Sequence, residues 1–300
     1  MTVLCDIAIS KKILSLGAVK QARTLSKEVA RKGIGLFTGV SSELKFIPAP
    51  AGHGIVFQRV DLKDCPLLPG QLKNVQGTPR CTILGCGDAS IQTVEHVLAA
   101  LAAYGIDNLL IQLDGPEIPV FDGSSLEFVQ MIEEAGVAPL DQQIPVYQLL
   151  RPVYWSQGDI HIVALPSEEY KISYTLHYPQ SQLLHSQFFT VQVNADRFKR
   201  EVAPCRTFSL YEEILPFIER GLLKGGSLDN AVIVKDDKVM NPEGLRFANE
   251  MARHKALDMI GDLSLIGVPF LAHVIAIRSG HYANNAFAKE LLNHIQLEIS

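Results

Sequence analysis

"TVEHVLAALAAYG", residues 93–105, has only Glu95 and His96 as ionisable groups ahead of Tyr104; the rest is Val, Leu and Ala after the opening threonine. The pattern predicts a helix buried all round, with Thr93 as its N-cap and Gly105 as its stop. "DNLLIQLDG" follows as a buried strand, and "SSLEFVQMIEEAG" as an amphipathic helix with a serine cap and a glycine end. The second half closes in the same order: "LRFANEMARHKALDMIGDLSLIG", "FLAHVIAIRSG" and "NNAFAKELLNHIQ" read as helix, strand with glycine turn, and helix. Both halves open on strands. Residues 24–62 hold "TLSKEV", "GIGLFTG", "ELKFIPA" and "GIVFQRV", and the second half begins with "VYWSQ", "DIHIVALP", "YKISYTLHY" and "SQFFTVQV". The expected fold is α+β, with two domains of similar topology rather than one doubly wound sheet.

"APLDQQIPVYQLLRP" mixes prolines with polar residues and is the linker candidate, near residues 138–150. The expected division is an N-terminal extension over 1–22, a first α+β domain over 23–140 and a second over 141–300. Residues 205–241 are additional to the shared order: a helix, the turn "KGGS" and a strand hairpin closed by "DD".

A chain of 300 residues, 47% hydrophobic and 20% charged, has ample length for this organisation. The net charge of -5 argues against broad non-specific nucleic-acid binding. The five cysteines, Cys5, Cys65, Cys81, Cys86 and Cys205, are scattered without a CxxC pair, as in a reduced cytosolic protein. The longest apolar run, "LIGVPFLAHVIAI", is short and broken by Gly267, Pro269 and His273, so no membrane span is expected. The N-terminus lacks the cleavage signature of a signal peptide.

Within "RHKALDMIGD", residues 253–262, His254, Lys255, Asp258 and Asp262 share one helical arc. The four-residue spacing of His254 and Asp258 lets an imidazole and a carboxylate grip one metal ion. Taken alone, such an arc describes any surface helix. Glu95 and His96 alter the balance, because burying both without partners costs several kcal/mol. A metal would satisfy both; a satisfied core histidine beside a first-turn glutamate is the alternative. His281 in "RSGHYANN" stands between a glycine and a helix, where it can reach the rim of a sheet, and Thr207 in "APCRTF" offers a hydroxyl to a developing oxyanion. His53, His161, His177, His185, His273 and His294 read as strand, loop or terminal residues. "KGGS" lacks P-loop spacing, and "GIGLFTG" has no helix after it.

Together with "RTL", "GIVFQR", "QTVEHVLAAL", "EIPVFDGSS" and "GLLKGGSLDNAVIV", these stretches resemble the UDP-3-O-acyl-N-acetylglucosamine deacetylases, in family order from about residue 23 onward. The resemblance implies helices packed between two sheets, an active site at the domain junction and, in or near residues 205–241, a hydrophobic passage for an acyl chain. It implies His96, His254 and Asp258 as zinc ligands, with Fe²⁺ also suited to the set. Glu95 then matches the general base, His281 the second catalytic group, Asp262 its orienting partner and Thr207 an oxyanion donor. Lys255 matches a substrate contact, and Phe208, Gly226 and Ser227 would border the substrate.

The implied reaction removes the 2-acetyl group of UDP-3-O-acyl-N-acetylglucosamine, the committed step of lipid A biosynthesis in Gram-negative bacteria. A cytoplasmic monomer follows, with peripheral contact at the inner membrane left open. The alternative reading is a catalytically weakened sugar-nucleotide- or lipid-binding homologue of the same fold; a purely structural metal is a third. Phe37 stands where the family commonly has histidine, Cys205 and Ser209 where alanine and glycine are usual, and Glu213 where aspartate is typical.

Overall fold

The computed structural model describes residues 14–299, so residues 1–13 of the expected extension, with Cys5, lie outside it. The first half runs β1 (Leu14–Leu25), β2 (Val29–Ile34), β3 (Ser41–Pro48), β4 (Ile55–Arg59), β5 (Leu67–Pro69), β6 (Val75–Gly77), β7 (Ile83–Cys86) and β8 (Ala89–Gln92). α1 (Glu95–Tyr104), β9 (Leu109–Leu113) and α2 (Leu126–Ala135) complete it. The second runs β10 (Val137–Leu149), β11 (Val153–Gln157), β12 (Ile160–Leu165), β13 (Lys171–Tyr178), β14 (His185–Gln192), α3 (Ala195–Arg197) and β15 (Phe208–Leu210). It continues through α4 (Tyr211–Glu219), β16 (Val232–Lys235), β17 (Lys238–Val239), α5 (Glu250–Ser264), β18 (Phe270–Leu271), β19 (His273–Ile277) and α6 (His281–Ile299).

The two five-stranded sheets repeat one design. Their orders are β2-β3-β9-β4-β5 and β11-β12-β19-β13-β14. In each, a later strand inserts between two hairpins, antiparallel to one neighbour and parallel to the other. The helix before that strand is α1 in one half and α5 in the other, and the helix after it is α2 or α6. This is the α+β repetition expected from the sequence.

α1 is buried nearly throughout because its side chains are apolar on every face. It packs on α2 and against α5 of the other half, while α5 also lies on β13 and β14. Gly261 makes the α1–α5 approach possible: a Cβ there would stand 2.1 Å from the Glu95 carbonyl oxygen. The polar arc of α5 is therefore no surface: His254, Asp258 and Asp262 are each 2% exposed or less.

Three local expectations are corrected. The linker candidate is β10, paired along its length with β1, which also takes in residues 14–22 of the expected extension. Its prolines are tolerated because β18 reaches only Tyr147 and Gln148, so Pro139 and Pro145 have a ladder on one side alone. "GIGLFTG" is strand only at Gly33 and Ile34, the end of β2; the remainder is a turn. Thr93 is not the N-cap of α1; Val94 is, and Thr93 takes φ of 63° and donates its hydroxyl to Glu117. Gly105 does stop that helix, at φ of 67°. Among the described residues Cys65, Cys81, Cys86 and Cys205 are free thiols, and no helix is long and apolar enough to cross a membrane.

Candidate functional site

The first turn of α1 and the middle of α5 bring His96, His254 and Asp258 together. Each offers a ligand atom, and these atoms all lie within 4.8 Å of one another. Asp258 Oδ1 is 3.4 Å from His254 Nε2 and 3.7 Å from His96 Nε2. That oxygen is buried without a hydrogen-bond partner. His254 Nδ1 lies 3.1 Å from the Cys205 carbonyl, which can only accept, so the proton sits on Nδ1 and the Nε2 lone pair faces Asp258. Burial, then the adjacent His254, pulls the His96 imidazole down to about 3, and burial likewise lowers His254. Burial alone would disfavour the Asp258 carboxylate, but His254, Lys255, His281 and His96 together hold it well below the usual range. Two neutral imidazoles and an ionised carboxylate with an orphan oxygen are a donor set that fits Zn²⁺ or Fe²⁺.

Glu95 and His281 flank this cluster. His281 Nε2 is 3.8 Å from Glu95 Oε1 and 3.9 Å from Asp258 Oδ2, while its Nδ1 meets Asp262 Oδ2 at 3.0 Å. Burial raises Glu95 to about 7, with Asp262 and Asp258 adding and His281 opposing. Burial works against the His281 imidazolium, but Asp262, Glu95 and Asp258 outweigh it and raise the group to about 9. A carboxylate with raised pKa and an imidazole kept charged form an acid–base pair suited to neutral pH. α6 begins at His281, after the turn that ends β19, which is why this imidazole reaches the rim.

These groups lie along a cleft of about 790 Å³. Thr207, Phe208, Gly226, Ser227 and Lys255 also line it, so of the expected site residues only the fully buried Asp262 stands behind the wall. Lys255 donates to Asp258 Oδ2 at 2.8 Å; burial opposes its charge, but the Asp258 carboxylate raises it. Away from the polar cluster, residues 205–241 supply apolar lining, with Ile214 and Ile218 on α4 and Ile233 on β16; Leu36, Phe37 and Ile160 add to it, and Arg80, Glu213, Lys235 and Arg278 bring charge to the same cleft. A second, smaller cleft of about 270 Å³ shares Tyr178, Glu213, Lys255, Arg278 and Ser279 with the first.

Supporting residues escaped the sequence reading. Arg206 and Glu250 form a buried ion pair at 2.8 Å that fixes the segment holding Cys205 and Thr207, just ahead of β15, to the start of α5. Glu117 accepts from the Phe37 and Thr38 amides, the Thr38 hydroxyl and Thr93, and so pins the "GLFTG" turn. That turn in turn accepts backbone bonds from Lys224 and Gly225 across the cleft, with Phe37 in the lining. Thr82 and Asn284 both donate to Asp262. None could be found from spacing, since each partner is distant in the chain.

Residues 22–293 match the family described as "LpxC: UDP-3-O-acyl N-acetylglycosamine deacetylase". The chain is 49% identical over 276 residues to a UDP-3-O-acyl-N-acetylglucosamine deacetylase of Chlamydia pneumoniae, covering 92% of this chain and 98% of that one. It is 45% identical over 274 residues to the protein of the same name from Chlamydia caviae, covering 91% and 98% of the two chains. A third, from Chlamydia trachomatis serovar L2, is 43% identical over 276 residues, covering 92% and 96%. With that coverage, and with a buried His-His-Asp cluster beside an acid–base pair, the chain belongs to the UDP-3-O-acyl N-acetylglycosamine deacetylase family.

Proposed function

We propose that this protein is a metal-dependent amidase that hydrolyses the 2-acetamido group of UDP-3-O-acyl-N-acetylglucosamine to the free amine and acetate, in lipid A biosynthesis. Family membership supports the substrate, and one observation carries the chemistry: the orphan Asp258 Oδ1 faces two neutral imidazoles, beside Glu95 and His281, at an open cleft. We take the two sheets as cores of domains at 23–140 and 141–300, with the site where α1 meets α5.

His96, His254 and Asp258 would hold the ion, Zn²⁺ by preference for this donor set. A divalent cation there supplies a Lewis acid and lowers the pKa of a water molecule. Glu95 Oε1, facing the cleft, takes a proton from the attacking water. Water oxygen bonds to the amide carbon, and the carbonyl electrons move onto oxygen, where the Thr207 hydroxyl and the His281 imidazolium stabilise the charge. When the C–N bond breaks, the amine takes the proton it needs from the His281–Glu95 pair, and acetate leaves. Asp262 holds the His281 ring in place from Nδ1. Lys255 and Phe208 border the sugar, with Gly226 and Ser227 on the same rim, and the apolar wall from α4 and β16 takes the acyl chain.

Mass spectrometry of UDP-3-O-acyl-N-acetylglucosamine incubated with purified, metal-quantified protein tests the reading. Loss of one acetyl group, abolished by chelation and restored by Zn²⁺ or Fe²⁺, is the expected result. No mass change would overturn the reaction, and full turnover after complete metal removal would overturn the metal's role.

A further inference from the structure

Thr82 lies one residue ahead of β7, fully buried and outside the cleft lining. Its peptide N–H donates to Glu95 Oε2 at 3.0 Å, and its hydroxyl donates to Asp262 Oδ1 at 2.6 Å. Its own carbonyl accepts from the Thr93 amide at 3.1 Å, just ahead of α1. The hydroxyl's one proton is thus committed to Asp262, while its oxygen accepts from Asn285 Nδ2 at 3.4 Å. Asn284 Nδ2 meets the other Asp262 oxygen at 2.9 Å.

The two carboxylates that Thr82 holds are those on either side of His281: Asp262 at Nδ1 and Glu95 at Nε2. The Thr82 amide occupies Glu95 Oε2 and so leaves Oε1 as the oxygen turned to His281 and the cleft. The hydroxyl fixes the plane of Asp262, and with it the ring it carries. Glu95 and Thr82 come from the first half of the chain, Asp262 and His281 from the second. A single residue therefore sets the spacing of a base and an acid supplied by different halves.

We propose that Thr82 is a positioning residue for the reaction, holding Glu95 and Asp262 in one frame so that the proton acceptor and His281 face the same point of the cleft. The inference rests on the deacetylase reading, and its logic is geometric. Valine has the same shape, keeps the amide bond to Glu95 and leaves Asp262 Oδ1 a buried acceptor without its donor. Asp262 is then held only at Oδ2, by Asn284 and His281, and can turn about that oxygen, carrying the His281 ring with it. Serine restores the donor.

The test compares wild type with Thr82→Val, Thr82→Ala and Thr82→Ser in the metal-loaded enzyme. Thr82→Val and Thr82→Ala should lower kcat by about 10-fold or more, within the range that general acid–base groups supply. KM and metal content should stay within about 2-fold, a bound set well inside that loss. Thr82→Ser should recover most of the rate. In parallel, NMR of the metal-free proteins reads the His281 ring proton at Nδ1, assigned with His281→Gln. It should be slowly exchanging in wild type and Thr82→Ser, and lost or broadened in the other two.

Wild-type kcat in Thr82→Val overturns the proposal. So does a serine variant as slow as valine, or a loss confined to KM or metal content. A wild type that releases no acetate would sink the deacetylase reading instead, and the ring-proton signal would still judge Thr82. If Thr82→Val fails to fold, the alanine and serine variants decide.

Discussion

At the scale of single residues, the proposed reading separates metal binding from proton transfer. Asp258 has one oxygen occupied by Lys255 and one left without a partner, which supports its proposed role as a ligand to a cation. Asp258→Asn keeps the shape and removes the charge; metal affinity, measured by titration and elemental analysis, should fall by about 10-fold or more. Glu95 shares a helix turn with His96 but contributes no atom to the ligand cluster. Glu95→Gln should leave metal content at the wild-type level and lower kcat by about 10²- to 10⁴-fold. A glutamine variant with wild-type turnover would mean that the base is another group. Sequence alone brought these residues into view because their signal is local: a four-residue spacing in α5, and two ionisable groups in an apolar α1. It could not reach the residues that hold them. Thr82 meets Asp262 across 180 positions, and no periodicity encodes such a bond.

At the scale of elements, the decisive contact is that of α1 with α5. Both were legible as helices, and the sheet repetition was legible as an order of strands and helices. Which face of α5 is buried was not, from that helix by itself. Taken alone its polar arc reads as a wet surface; the Glu95–His96 pair and the resemblance turn that reading, and packing against α1 is what buries the arc. Gly261 sets the closeness of the two helices. Gly261→Ala would push a methyl group against the Glu95 peptide at 2.1 Å, against backbone that cannot give way as a side chain can. Urea unfolding should show a loss of at least about 1–3 kcal/mol, the usual range for overpacking. Turnover should fall beyond what the lost folded fraction explains, because the displaced peptide carries the proposed base and a proposed ligand. β10 shows the converse limit. Prolines and polar residues suggested a linker, yet a strand with one free flank accepts both.

At the scale of the whole molecule, the two halves each deliver one member of the acid–base pair, so the pH dependence of turnover reads their assembly. Turnover by the proposed route needs Glu95 ionised and His281 protonated. In the metal-free chain these groups sit at about 7 and about 9, giving a bell that rises through the first and falls through the second. A bound dication favours the carboxylate and disfavours the imidazolium, so in the loaded enzyme both limbs lie at or below those values. Asp262→Asn removes the largest support of the His281 charge, and the alkaline limb should move to lower pH while the acid limb stays or moves down with it. The same group makes a stability claim with a fixed sign. A His281 pKa raised from 6.5 to about 9 contributes stability that is fully present below pH 6.5 and is lost as pH rises through about 9. Thermal unfolding of the metal-free protein should therefore show a decline in Tm across that window that flattens in His281→Gln. An unchanged alkaline limb in Asp262→Asn, together with an unchanged Tm slope in His281→Gln, would mean that the imidazolium is not held by the frame the two halves build.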